Sequence, residues 1–176
     1  MPRYYAGIGS RETPRDVCLL MESLAKKLAG EGWTLRSGHA DGADRAFERG
    51  AGGKAVVYLP FPSFGIEPYQ DDPGMPVMGQ AVCLPQVWES NCRKLVEIGV
   101  RYSMLHSKMH GRNWAQVCGL EGEGPSQMVV CWCPEPNGRP QGGTATAVNL
   151  ARHLGIQVRN LWHDEVLAAA HTWLAR

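Results

Sequence analysis

The chain has 176 residues, with 18 Lys plus Arg against 17 Asp plus Glu and a formal net charge of +1 at pH 7. That length suits one well-buried α/β domain and is short for two, so a single domain over residues 1–176 is expected. A net charge near zero excludes the global basic field that marks many nucleic-acid binders and leaves room only for a local basic patch.

Tyr4–Ile8 is a short apolar run that breaks at Gly9-Ser10-Arg11, and Thr13-Pro14 then opens a helical pattern with a capping residue and a proline in the first turn. Val17, Leu20, Met21, Leu24, Ala25 and Leu28 recur at three- and four-residue intervals and predict one core-facing stripe. Thr34–Ser37 is the second strand. It runs into Gly38-His-Ala-Asp-Gly-Ala-Asp44, followed by a helix carrying Ala46, Phe47 and Ala51, and Ala55–Leu59 is the third strand.

From about residue 60 to 85 the periodicity vanishes, and prolines alternate with Phe61, Phe64 and Tyr69. A connection this long reads as a proline-rich insert, either a lid, a partner-contacting loop or a disordered segment. Val87, Cys92, Leu95 and Val96 fit a helix. The polar stretch His106–Asn113 precedes a short helix through Trp114, Val117 and Cys118. Met128–Cys133 is the fourth strand, Thr144–Leu154 a helix, Gln157–Leu161 the fifth strand, and Asp164–Leu174 a closing helix capped by Asp164.

Strands alternating with helices imply a Rossmann-like, doubly wound, mostly parallel sheet of about five strands, with helices on both faces. In the order 3-2-1-4-5, the crevice opens between the loops after strands one and four. Those loops are Gly9-Ser10-Arg11 and Gln141-Gly-Gly-Thr-Ala-Thr146, and strand two delivers Gly38–Asp44 to the same edge. The glycines let a ligand approach the backbone, and Thr144 and Thr146 fall where a helix begins, so this turn is either an anion site or an ordinary capped turn.

Gly7, Gly9 and Ser10 resemble the start of a dinucleotide fingerprint, but its third glycine is missing, which argues against a nicotinamide enzyme. Arg11 reads as a phosphate contact or a solvated side chain. Asp41 and Asp44 read as acceptors for ribose hydroxyls, with helix capping the alternative for Asp44. His39 is a ligand contact or a turn residue. Arg112 and Asn113 are expected at a helix start, where rigid donors and acceptors reach a pocket, with Gln116 one turn on. Glu89, Glu121 and Glu123 are the carboxylates to consider for acid or base work.

The six cysteines are scattered through apolar segments, which suggests small buried hydrophobes in a reducing compartment. Cys131 and Cys133 flank Trp132 on one side of a strand, and core packing is favoured over metal ligation. No metal or resident cofactor is expected. With no leader-like run and no apolar stretch of membrane-spanning length, the expectation is a cytoplasmic protein with no membrane contact.

The motifs Gly7-Ile-Gly-Ser-Arg11, Ser37–Asp44 and Gly142-Gly-Thr-Ala-Thr146 resemble the SLOG superfamily of Rossmann-like nucleotide-binding domains. It joins the DNA-processing protein A family, the Lonely Guy phosphoribohydrolases and YspA-like proteins of bacteria and their phages. Met109-His-Gly-Arg-Asn113 is similar to the Met-His-x-Arg-Lys element of the Lonely Guy enzymes, with Arg112 on their catalytic arginine. Those enzymes continue their glycine motif into a pair of glutamates, which Gly142–Asn149 lacks, so the carboxylate that stabilises oxocarbenium character would have to be Asp41, Asp44 or a glutamate near the insert.

The resemblance implies a nucleotide or nucleotide-derived ligand held by Gly9, Ser10, Arg11, Gly38, Asp41, Asp44, Arg112, Asn113, Gly142, Gly143, Thr144 and Thr146. Hydrolysis or transfer at the N-glycosidic bond would use Arg112, Asp44 and Glu89. Two alternatives stand beside it: a sensor or sequestering protein for a signalling nucleotide, and a single-stranded DNA-binding recombination factor. A homodimer is expected from the apolar residues in the insert and around Trp88 and Trp114.

Overall fold

The chain forms six strands, the inner ones mostly short apolar runs: β1 (Arg3–Gly9), β2 (Trp33–Ser37), β3 (Ala55–Leu59), β4 (Gln80–Cys83), β5 (Met128–Trp132) and β6 (Gln157–Asn160). In the computed structural model, which describes residues 2–65, 77, 79–84 and 87–176, they form one sheet in the order β4-β3-β2-β1-β5-β6. Every pair is parallel. The expected order is present with one more strand on the β3 edge.

That strand, β4, lies inside the region where no periodicity was found. Its side chains are exposed except for half-buried Val82, so no apolar alternation marks it, and backbone pairing from Val56–Gln80 to Leu59–Cys83 defines it instead. Pro68, Tyr69, Pro73, Pro76 and Pro85 of the expected insert lie outside the described residues.

The helices are α1 (Arg15–Gly30), α2 (Ala43–Ala51), α3 (Trp88–Glu97), α4 (Ser107–Cys118), α5 (Ala145–His153) and α6 (Asp164–Leu174). The α1 stripe is buried as expected. Two caps differ. Thr13 gives its hydroxyl to the Ser10 carbonyl at 2.6 Å, and Asp164 follows the N-cap His163 without capping. The largest departure is α4, which takes in the polar stretch before Trp114. Arg112 and Asn113 therefore sit inside a helix and not at its start, because the inward face of α4 is polar and carries no apolar period.

Side chains alternate across the sheet. Tyr5, Leu35, Val57 and Val130 pack with α1 and α2, where the Tyr5 and Phe47 rings meet edge to face at 6.3 Å. Ala6, Ile8, Val129 and Cys131 pack against α4 and α5 on the other face. Cys131 and Cys133 are both buried in this second core, and burial pushes both thiols up. Among the described residues, no helix is long and apolar enough to cross a membrane, and no group of three or more His, Cys, Asp or Glu could hold a metal ion.

The chain builds outward from β1 on one side through β4, then returns to place β5 on the other side. The carboxyl ends of β1 and β5 thus adjoin at the switch point, with Gly9 beside Trp132 and the Ser10 N–H donating to the Trp132 carbonyl at 3.1 Å.

A buried carboxylate anchors the loop after β5. Glu135 accepts from both Arg152 Nη atoms, from Asn160 Nδ2 at 3.1 Å and from His163 Nε2 at 2.8 Å. Asn160 also brackets Cys133, accepting from its N–H and donating to its carbonyl. The Arg152 bonds foremost hold Glu135 down at about 2.

A carboxyl depressed on folding contributes stability that is complete above its unfolded value near 4.5 and is lost as pH falls through about 2. Urea unfolding at pH 7 should show Glu135→Gln less stable by about 2 kcal/mol, with a flatter fall in stability below pH 4.5 than the unsubstituted protein. Superimposable pH–stability curves would contradict this role.

Candidate ligand-binding cleft

The turns after β1, β2 and β5 meet α4 around an open cleft of about 750 Å³. Asp44, in the first turn of α2, stands at the junction. It is fully buried and accepts from the Gly9 N–H at 3.2 Å through Oδ1 and from the Ala40 N–H at 3.4 Å through Oδ2. It is thus no helix cap, since Gly42 holds that position. Gly42 has φ +80°, and a Cβ there would lie 2.7 Å from the Ser10 carbonyl oxygen, so only glycine lets the β1 and β2 turns approach this closely.

Arg112 supplies the opposite charge. Its Nη1 donates to the Gly38 carbonyl at 2.9 Å, its Nη2 reaches Asn113 Oδ1 at 3.3 Å, and the guanidinium lies 5.5 Å from the Phe64 ring centre. A Cβ on Gly38 would lie 2.6 Å from Arg112 Nε, so the missing side chain makes room for the guanidinium. Asn113 Nδ2 donates to the Gly143 carbonyl at 3.0 Å. One turn of α4 therefore holds both the β2 turn and the β5 turn.

Burial pushes the Asp44 carboxyl up to about 6; the nearby Glu48 adds to that, while Arg112 and the two backbone N–H bonds oppose it. His110 is lowered, first by burial and then by His106 and Arg112. Its Nδ1 lies 2.9 Å from Thr146 Oγ1 and its ring 5.3 Å from that of Tyr102. No side chain caps α5; its first N–H, that of Ala145, donates to the Gly142 carbonyl at 3.2 Å, and the start of this nine-residue helix faces the cleft.

Of the residues singled out in the sequence, Gly9, Ser10, Arg11, Asp44, Arg112, Asn113, Gly142, Gly143, Thr144 and Thr146 line this one cleft. Gly38 lies beneath it, reached through Arg112. Asp41 does not line it; half exposed, it pairs with Arg45 Nη1 at 2.9 Å, one helical turn on. Glu89 does not line it either; it stands on α3 beside a second hollow with Trp88 and Cys92. Glu123 is engaged by Arg36 and Tyr58. His39, at φ 61°, is buried with its Nδ1 2.7 Å from Glu48 Oε2.

The cleft also takes in Arg101, Tyr102 and Ser103, which sequence reasoning missed, and Met109 and His110, which it quoted in the motif around Arg112 without assigning them to the site. The first three come from an irregular segment with no period. His110 had a signal in its spacing, three residues before Asn113, which fits one helix face once α4 is extended back to Ser107.

The carboxyl-carbon NMR signal of Asp44 is expected to titrate near pH 6, and higher still in Arg112→Ala, because the guanidinium favours the ionised form. Titration near pH 4 in the unsubstituted protein would contradict the buried environment described.

No protein-family model matches the sequence, and no curated protein matches it. Solved structures do. DNA processing protein A from Helicobacter pylori, described for its single-stranded DNA binding mode, matches with a TM-score of 0.60 at 19% identity, over 89% of this chain and 64% of that one. The Streptococcus pneumoniae protein of the same name matches at 0.52 and 19% identity, over 90% and 49%. The molybdenum cofactor carrier protein of Chlamydomonas reinhardtii matches at 0.52 and 18% identity, over 90% and 75%. The chain spans less than two thirds of the length of the two DNA processing proteins. At these identities the likeness shows the fold alone, a Rossmann-like parallel α/β fold similar to that of DNA processing protein A.

Proposed function

We propose that the cleft binds a nucleotide or nucleotide-derived ligand, with its phosphate against Ser10, Arg11 and the Gly142–Thr144 turn and its remainder toward Arg112. The observation that carries this reading is the junction of three turns at the sheet's switch point, tied by the Asp44 carboxylate to the Gly9 and Ala40 N–H groups. Arg11 at the mouth and the uncapped α5 start favour an anion. Two of the matched folds belong to proteins described as a single-stranded DNA binder and as a cofactor carrier, which supports a binding role.

Binding without turnover, as in a sensor or sequestering protein, ranks ahead of glycosidic cleavage. Both Asp44 oxygens are engaged by backbone N–H groups, and among the described residues the other carboxylate lining the cleft is the exposed Glu12. Any cleavage would fall to Asp44, with its carboxyl near 6, beside Arg112. Single-stranded DNA is the second reading, favoured by the open mouth with Arg11, Arg101 and His106 along it and by the Helicobacter pylori likeness.

Isothermal titration with nucleoside mono- and diphosphates and a short oligonucleotide separates these readings. At least one nucleoside phosphate is expected to bind, and Arg11→Ala should weaken it about tenfold, the loss of one charge-assisted hydrogen bond. Salt-sensitive binding of the oligonucleotide alone would favour the second reading, and no binding by any probe would overturn both. Release of free base from a bound monophosphate, abolished in Asp44→Asn, would establish cleavage.

A further inference from the structure

Gln116 lies on α4 one turn beyond Arg112 and Asn113, and it forms part of the cleft floor. Its side chain is fully buried, yet neither Oε1 nor Nε2 has a hydrogen-bond partner. The side chains one turn back are engaged, Arg112 with Gly38 and Asn113 with Gly143. The Gln116 carbonyl accepts from Ser126 Oγ at 2.9 Å, which pins the backbone here. A carboxamide with both ends unsatisfied in a protein interior is exceptional, and a leucine or methionine of similar size would fill the space without that cost.

A carboxamide presents a donor and an acceptor side by side in one plane. Its complement is an acceptor next to a donor on a rigid edge, the arrangement nucleobases carry and that Gln or Asn reads in bidentate fashion. A phosphate at neutral pH offers acceptors alone and would leave Oε1 unpaired. We infer that Gln116 is the residue that reads the heterocyclic base of the ligand, through paired hydrogen bonds within the cleft.

This rests on the nucleotide reading above and orients the ligand within it, base inward at Gln116 and phosphate outward at Arg11 and Gly142. The amide is shut off from solvent, so reading a base requires the cleft side chains to shift on binding, and the paired bonds then form without stripping water from the amide.

The test compares the unsubstituted protein with Gln116→Leu and Gln116→Glu in titrations with the four ribonucleoside monophosphates and with ribose 5-phosphate, which lacks a base. Gln116→Leu should melt at the same or a higher temperature, lose at least tenfold in affinity for the preferred monophosphate, and keep its affinity for ribose 5-phosphate. Gln116→Glu, which retains size and swaps the donor for an acceptor, should change the order of preference among the four bases. Unchanged affinities and preferences in both variants would overturn the base-reading role while leaving the cleft as a nucleotide site. Failure of every monophosphate to bind the unsubstituted protein would overturn the nucleotide reading and this inference together.

Discussion

A single buried carboxylate joins the two turns on which the cleft is built. Asp44 takes one N–H from the end of β1 and another from the turn after β2, and these segments are 35 and four residues away along the chain. Without that acceptor, two buried backbone donors would face the interior unpaired at the sheet's edge. Burial opposes the charge, raising the carboxyl to about 6, and Arg112 opposes that rise. Buried opposite charges of this kind contribute little net stability, and they are common where a site must be held in one geometry. The arrangement favours a defined cleft over a maximally stable one.

Everything else in the fold serves to bring four segments to that carboxylate. The parallel sheet sends the ends of β1, β2 and β5 to the same edge, and the reversal at β1 leaves a gap there that no crossover helix fills. From the other side α4 closes the gap, its Arg112 and Asn113 bonded to the backbone of the β2 and β5 turns. Glu135 secures the outer end of the β5 loop to α5 and β6, so the glycine turn is held at both of its ends. Backbone turns and the polar Arg112, Asn113 and Gln116 of α4 wall the cleft, while Val117 of the same helix joins the apolar core on one sheet face.

Much of this was legible in the sequence because it follows from periodicity and order alone. The α1 stripe, the apolar strands and the sequence of strand and helix were enough to set β1 next to β5, and from that the meeting of Arg11 with Thr144 follows. The remainder was hidden where side-chain pattern and structure part company. β4 is an exposed edge strand defined by backbone pairing, and α4 turns a polar face inward, which made half of it look like a loop. Asp41 and Asp44 are alike in the sequence, and what separates them is that Arg45 stands one turn from Asp41 while the backbone at the end of β1 donates to Asp44. Glu89 looked usable because carboxylates carry no address in a sequence; its helix faces a different hollow.

Nucleotide binding at this cleft requires the turns after β1 and β5 to form one anion-accepting surface. Backbone-amide NMR of isotope-labelled protein, titrated with each ribonucleoside monophosphate, tests that most directly. Concentration-dependent shifts are expected for at least one of them, centred on the amides of Gly9–Arg11 and Gly142–Thr146. Shifts confined to other parts of the molecule, or none at those amides with any of the four, would contradict it.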